Sequence, residues 1–199
     1  MNTIPLDFTK DADPRRAKIL DGAMTVFLAY GFQRTTMDDI ARAAEISRPG
    51  LYLQFRNKTD IYRALAEQFV EKVLAVSGEI LTSDGPLLAR LHGAVDAFMA
   101  LIGEIEDAPH GRDMLDMQTS LAGDIVLAAR VRMLALMEDA FAREACTRRT
   151  GEGAPEPCLL AALLLDALDG MKLRRPPRQE QARMAELYVR TIAGLQDGR

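Results

Sequence analysis

The chain has 199 residues, 48% of them hydrophobic and 27% charged, with a formal net charge of -4. That length allows one or two domains and a sizeable core, and the near-average composition excludes a disordered or membrane-embedded class. The net negative charge argues at first against a polyanionic partner. It hides an asymmetry, however, because the first 63 residues carry +2 and the remainder -6.

Residues 1–13 hold Asp7, Asp11 and Asp13 and no apolar run, so no cleavable secretory signal is expected there. The longest apolar run, Cys158 to Leu165, is too short to span about 30 Å of hydrocarbon, and a cytoplasmic protein with no membrane partner is expected. Cys146 and Cys158 stand in no metal-ligand or redox spacing, which predicts reduced, small apolar residues.

Apolar spacing is helical throughout and no segment alternates with period two, so the fold class is all-α. Asp13 before Pro14 reads as an N-cap with proline at the first helical position, and Gly31 as a stop, giving a helix over 14–30. Its inward residues are expected to be Ile19, Leu20, Ala23, Phe27 and Tyr30. Thr36 caps a second helix with Asp39 as its reciprocal partner, and Met37, Ile40, Ala41 and Ala44 form the inward face. After a turn at Glu45 and Ile46, Ser47 caps a third helix that tolerates Pro49 in its first turn and runs to about Phe55. Asn57 caps a long fourth helix through Ile61, Leu65, Phe69, Val73 and Val76, stopped by the loop at 82–86. Further helices are predicted over about 86–104, 112–121, 123–149, 155–172 and 178–196.

Two short helices joined by a three- or four-residue turn over 36–55 have the spacing of a helix-turn-helix. Thr35 and Thr36 lie at a helix N-terminus, where hydroxyls, free amides and the dipole suit a phosphate, although Thr36 is also explained as a cap alone. Ser47, Arg48, Pro49 and Gly50 form the first turn of the recognition helix, the part that meets base edges in the major groove. Arg48 has the donors to read guanine in a bidentate way, or is a solvated surface arginine. Gly50 lets the backbone approach closely, at about 1 kcal/mol of helix propensity relative to alanine. Gln54, one turn further, either reads adenine or is solvated, and Arg34 and Arg56 add positive charge.

The run Gly31, Phe32, Thr35, Thr36, Ile40, Ala41, Ser47, Gly50, Leu51, Tyr52, Phe55 and Lys58 resembles the tetracycline-repressor (TetR) family over roughly residues 14–65. The resemblance implies a helix-turn-helix DNA-binding domain at 10–63, joined by a long helix to a helical ligand-binding and dimerisation domain at 64–199. It also implies phosphate contacts from Tyr52 and Lys58, both of which carry donors suited to that role. Tyr52 has a core alternative, since Leu51 and Phe55 flank it; ring packed and hydroxyl outward reconciles the two.

Seven of the ten methionines lie after residue 98. Methionine adapts to varied apolar ligands but equally fills an ordinary core. With the resemblance, a pocket is expected among Phe98, Met114, Met117, Gln118, Met133, Met137 and Phe141. The segment Leu159 to Met171 is apolar nearly all round, which predicts burial on several sides, and the resemblance makes it, with the last helix, a dimer interface. Asp166 and Asp169 interrupt that segment and are expected to face solvent, Lys172 or Arg174. His92 and His110 have no metal spacing or nucleophile partner, and no phosphate loop is present, so neither an enzyme, a metal nor a cofactor is expected.

The function expected is a homodimeric transcriptional regulator, a repressor, released from a pseudo-palindromic double-stranded DNA operator by a small-molecule effector. One alternative is a DNA-bound protein controlled by a protein partner, with no small-molecule inducer. Another is a helical enzyme or ligand carrier that does not bind DNA.

Overall fold

A computed structural model describes residues 13–147 and 155–195. Among these residues the secondary structure is entirely helical: α1 Pro14–Tyr30, α2 Met37–Ala43, α3 Arg48–Gln54, α4 Lys58–Thr82, α5 Leu87–Glu106, α6 Gly111–Asp116, α7 Gln118–Thr147, α8 Pro157–Arg174 and α9 Arg178–Leu195. The predicted break at 151–155 falls largely outside the described residues. The described residues form two compact units, one of residues 13–73 and 99–129, the other of 74–98, 130–147 and 155–195.

Local chemistry fixes the first three helices. The Asp13 carboxylate accepts the Arg15 amide at 3.1 Å, with Pro14 supplying a first-turn residue that has no N–H to satisfy. Thr36 and Asp39 form a reciprocal capping box: Thr36 Oγ1 accepts the Asp39 amide at 3.2 Å, and Asp39 Oδ2 accepts the Thr36 amide at 2.9 Å. The Thr36 hydroxyl, donating to the Asp39 carboxylate at 2.6 Å, and then the Thr36 amide hold the Asp39 carboxyl below the usual carboxylate range. Ser47 Oγ accepts the Gly50 amide at 3.2 Å.

The α2–α3 turn is a Schellman motif. Ile46 N–H donates to Ala41 at 3.0 Å and Glu45 N–H to Arg42 at 3.1 Å, with Glu45 in the left-handed region at φ 52°. A non-glycine residue there costs about 1 kcal/mol. Glu45 is held from α1 as well, since Lys18 Nζ donates to its carboxylate at 2.8 Å and keeps its pKa low.

The first unit packs α1, α2, α3 and the start of α4 around Ile19, Leu20, Ala23, Phe27, Ile40, Leu51 and Ile61. The isoleucine, leucine and phenylalanine side chains among them contribute about 1.5 to 3 kcal/mol each when fully buried. Phe27, Phe32 and Tyr62 form an aromatic chain with centroids 5.3 and 5.6 Å apart. Tyr30, expected inward, is instead 60% exposed; α1 ends there, and the chain turns away at Gly31 with φ 81°. α1 and α2 approach so closely at Gly22 that a Cβ there would lie 2.7 Å from the Ala44 amide nitrogen.

Also in the first unit, the Tyr62 hydroxyl donates to the Met114 carbonyl at 2.6 Å, and burial pushes its pKa well up. Arg63 donates to the Leu121 carbonyl at 2.9 Å and makes a bidentate pair with Asp124 at 2.8 and 2.7 Å. The Arg63 hydrogen bonds lower the Asp124 carboxyl to about 2. The predicted break between 121 and 123 is a kink within α7, where Ala122 has φ -142° and ψ 26°. A separate break at Met117 divides α6 from α7.

In the second unit, two arginines close the end of α4. Arg90 is buried and donates to the carbonyls of Leu81 at 2.9 Å and Gly85 at 3.2 Å while pairing with Glu144 at 3.2 Å. Arg143 donates to the same Leu81 carbonyl at 2.5 Å. Asp166 and Asp169 both pair with Arg130 of α7, and Asp169 also with Lys172 at 2.6 Å. Arg174, named as a possible partner for these acids, lies instead with its guanidinium 3.0 Å from Met184 Sδ. Cys146 and Cys158 are free thiols, in keeping with reduced residues, and both are exposed.

Candidate nucleic-acid interface

The α2–turn–α3 segment presents an outward face whose backbone is fixed by the caps and the Schellman turn described above. Thr36, Ser47, Arg48, Pro49 and Tyr52 are exposed, as is Arg34, and Gly50, Gln54 and Lys58 are half-buried. The opposite side of α3 is anchored by Leu51, at 0% exposure, and by Phe55 at its end.

Arg48 pairs through Nε with Asp38 of α2, so its guanidinium is carried on the outward side with a carboxylate steadying it. Tyr52 is 51% exposed, in keeping with a ring at the edge of the core. A Cβ at Gly50 would stand 3.1 Å from Ser47 Oγ, the hydroxyl that caps the helix, which would have to give by a few tenths of an ångström. Gln54 lines a shallow concavity with Arg16, Phe55 and Arg56. Arg56 pairs with Asp60 at 2.9 Å.

Two expected DNA contacts are turned inward. Thr35 is 2% exposed, its hydroxyl donating to the Gly31 carbonyl at 2.8 Å and its amide to the same carbonyl at 3.2 Å. Both its donors close the end of α1 and neither faces a phosphate. Lys58 Nζ donates to the carbonyls of Phe32, Gln33 and Thr35 at 2.7, 3.1 and 3.0 Å, and lies 4.6 Å from the centroid of the Phe32 ring. An ammonium has three protons, so these bonds use all of them to hold the α1–α2 turn.

Arg16 was not singled out by sequence reasoning. Its guanidinium stacks 4.5 Å from the centroid of the Phe55 ring, beside Gln54. A basic residue at the start of a helix, one turn or more from the motif, gives no local signal of that stacking.

The seven residues expected to line a pocket are divided between the two units: Met114, Met117 and Gln118 belong to the first, and Phe98, Met133, Met137 and Phe141 to the second. Met114 packs in the helix-turn-helix core, with Met117 against it. Met137 and Phe141 are buried at 4% and 0% exposure, and the Phe98 ring carries the Lys172 ammonium 4.9 Å from its centroid. Among the described residues, no group of three or more His, Cys, Asp or Glu is placed to hold a metal ion. No described helix is long and apolar enough to cross a membrane.

Residues 19–65 match the family of bacterial regulatory proteins known as the tetR family. The chain is similar to the HTH-type transcriptional activator FasR of Mycolicibacterium smegmatis, at 33% identity over 90 residues that cover 45% of this chain and 41% of that protein. It therefore spans less than half of that relative. Similarity to the HTH-type transcriptional repressor Rv1474c of Mycobacterium tuberculosis is 28% over 172 residues, covering 86% and 87% of the two chains. The fold is similar to that of SmeT, the repressor of the Stenotrophomonas maltophilia multidrug efflux pump SmeDEF, with a TM-score of 0.66 at 20% identity over 94% and 91% of the chains. A SmeT–triclosan complex aligns with a TM-score of 0.65 at 22% identity, over 92% of this chain and 91% of that one. The relatives carry the names of regulators rather than enzymes, and with the capped helix-turn-helix they lead to one conclusion: residues 19–65 of this chain form a segment of the tetR family of bacterial regulatory proteins.

Proposed function

We propose that this regulator is a homodimeric repressor that binds a pseudo-palindromic DNA operator and leaves it when a small molecule binds. The observation that carries the DNA-binding part is the outward face of α3, with Arg48, Pro49 and Tyr52 exposed on a backbone fixed by the Ser47 cap and the α2–α3 turn. Two-fold symmetry then requires half-sites about one helical turn apart, or a multiple of it. Arg34, Thr36, Ser47, Arg48, Pro49, Gly50, Tyr52 and Gln54 are the contacts we assign, within a DNA-reading segment of residues 10–63. Residues 64–199 are assigned ligand binding and dimerisation. A protein acting on bacterial DNA works in the cytoplasm.

Dimerisation through α8 and α9 is supported by leucines left in water. Leu159, Leu163 and Leu173 of α8 are 61%, 49% and 84% exposed, and Leu187 of α9 is 60% exposed. The small-molecule effector is supported by the fold's likeness to SmeT, which has been solved with triclosan. Selection of duplexes from a random library by the full-length protein, followed by titration with salt and with apolar compounds, tests the whole reading. The expected outcome is a two-fold symmetric site, an affinity falling steeply with salt, and release by at least one compound class. Absence of any salt-dependent duplex affinity overturns the operator reading, and insensitivity to every compound favours control by a protein partner.

A further inference from the structure

The outward face of α3 carries apolar groups beside its hydrogen-bonding ones. Pro49, Tyr52 and Leu53 lie three and four residues apart, which on a helix sets them side by side. Pro49 is exposed, Tyr52 is 51% exposed and Leu53 is 85% exposed. Beside this stripe, Ser47 caps the Gly50 amide, Arg48 is steadied through Nε by Asp38, and Gly50 has no side chain. A seven-residue helix thus shows an apolar stripe to the side opposite its anchor, Leu51.

The floor of the major groove offers one apolar group, the C5-methyl of thymine. We infer that Pro49 and Leu53 are specificity determinants that read thymine methyl groups, so that each operator half-site carries thymine at the positions facing them. This rests on the operator-binding reading above. Leu53 supplies a mobile isobutyl group and Pro49 a fixed ring edge one turn earlier, two apolar surfaces for neighbouring base pairs.

The test replaces each thymine of a duplex selected by the full-length protein with deoxyuridine, which keeps the hydrogen-bonding edge and removes only the methyl. At one or two positions per half-site the affinity is expected to fall about fourfold, the factor for one methylene-sized apolar burial. The Leu53→Ala protein, folded as judged by its circular dichroism, is expected to bind the thymine and deoxyuridine duplexes equally at the position Leu53 reads, with an unchanged salt slope. Leu53→Gln is expected to lose the same discrimination. The inference is overturned if deoxyuridine is tolerated at every position, or if Leu53→Ala and Leu53→Gln remain as sensitive to the missing methyl as the natural protein. Failure to select any duplex overturns the operator reading itself, a result distinct from tight binding without methyl discrimination.

Discussion

Replacing Gly22 by alanine sets a steric cost against a helix-propensity gain, and the structure decides the sign. The added Cβ would lie 2.7 Å from the Ala44 nitrogen and 3.0 Å from the Ala43 carbonyl carbon and Ala44 Cα. All three are backbone atoms of the segment that ends α2, so no side chain can swing aside. Overpacking of this kind costs about 1 to 3 kcal/mol, while alanine in a helix interior gains about 1 kcal/mol over glycine. Gly78→Ala in α4 supplies the control, because its new Cβ would meet only the Leu136 methyl carbons at an ordinary 3.8 Å. Both changes restrict the unfolded chain equally, so their difference isolates the α1–α2 contact. Gly78→Ala is expected to raise the melting temperature by about 2 to 4 °C, and Gly22→Ala, with a net cost of up to about 2 kcal/mol, to lower it by up to about 4 to 8 °C. Duplex affinity should fall only in Gly22→Ala, whose helix-turn-helix must move. Equal stabilisation of both proteins, with DNA binding unchanged, would refute the steric argument.

Lys58→Ala leaves three carbonyls without their donor and is expected to destabilise the protein by about 1 to 3 kcal/mol in denaturant titration; an unchanged midpoint with a reduced salt slope would instead make Lys58 a phosphate contact. Arg48→Ala should weaken operator binding by about 1 to 3 kcal/mol and relax the preference at one base pair per half-site, and uniform weakening on all sequences would contradict a base contact. Acid should expose the Arg63–Asp124 pair. With the Asp124 pKa lowered to about 2, against about 3.9 in the unfolded chain, its contribution is complete above pH 4 and lost as pH falls toward 2. Asp124→Asn should therefore flatten, without abolishing, the acid limb of a stability–pH curve, since Asp39 and Glu45 are depressed in the same direction.

The reader helices were legible because their ends are written locally. Asp13 with Pro14, Thr36 with Asp39, and Ser47 with Gly50 each place cap and partner within three residues. The misreadings arise where partners are distant in sequence. Thr35 looks like an exposed threonine beside a cap, but its hydroxyl is taken by Gly31 and buried. Lys58 looks like a free cation at a helix start, but its acceptors lie 23 to 26 residues earlier. The break at Met117 carries neither glycine nor proline, so periodicity alone ran one helix through it. The seven residues grouped for a pocket fall in two units because hydropathy shows that Met114 and Phe141 are apolar, not which unit each belongs to.

The two arginines at the end of α4 bear on how the second unit comes apart. A helix normally finishes on a glycine or a short polar cap, which forms and frays with its own last turn. Here the Leu81 carbonyl is held by Arg90, nine residues on, and by Arg143, 62 residues on. Loss of either α5 or the distal part of α7 would take one of two donors from that carbonyl, and fraying of α4 alone would break both hydrogen bonds. Amide hydrogen exchange at Gly78 to Thr82 should accordingly follow the cooperative opening of α7 rather than the rapid local opening of a helix end.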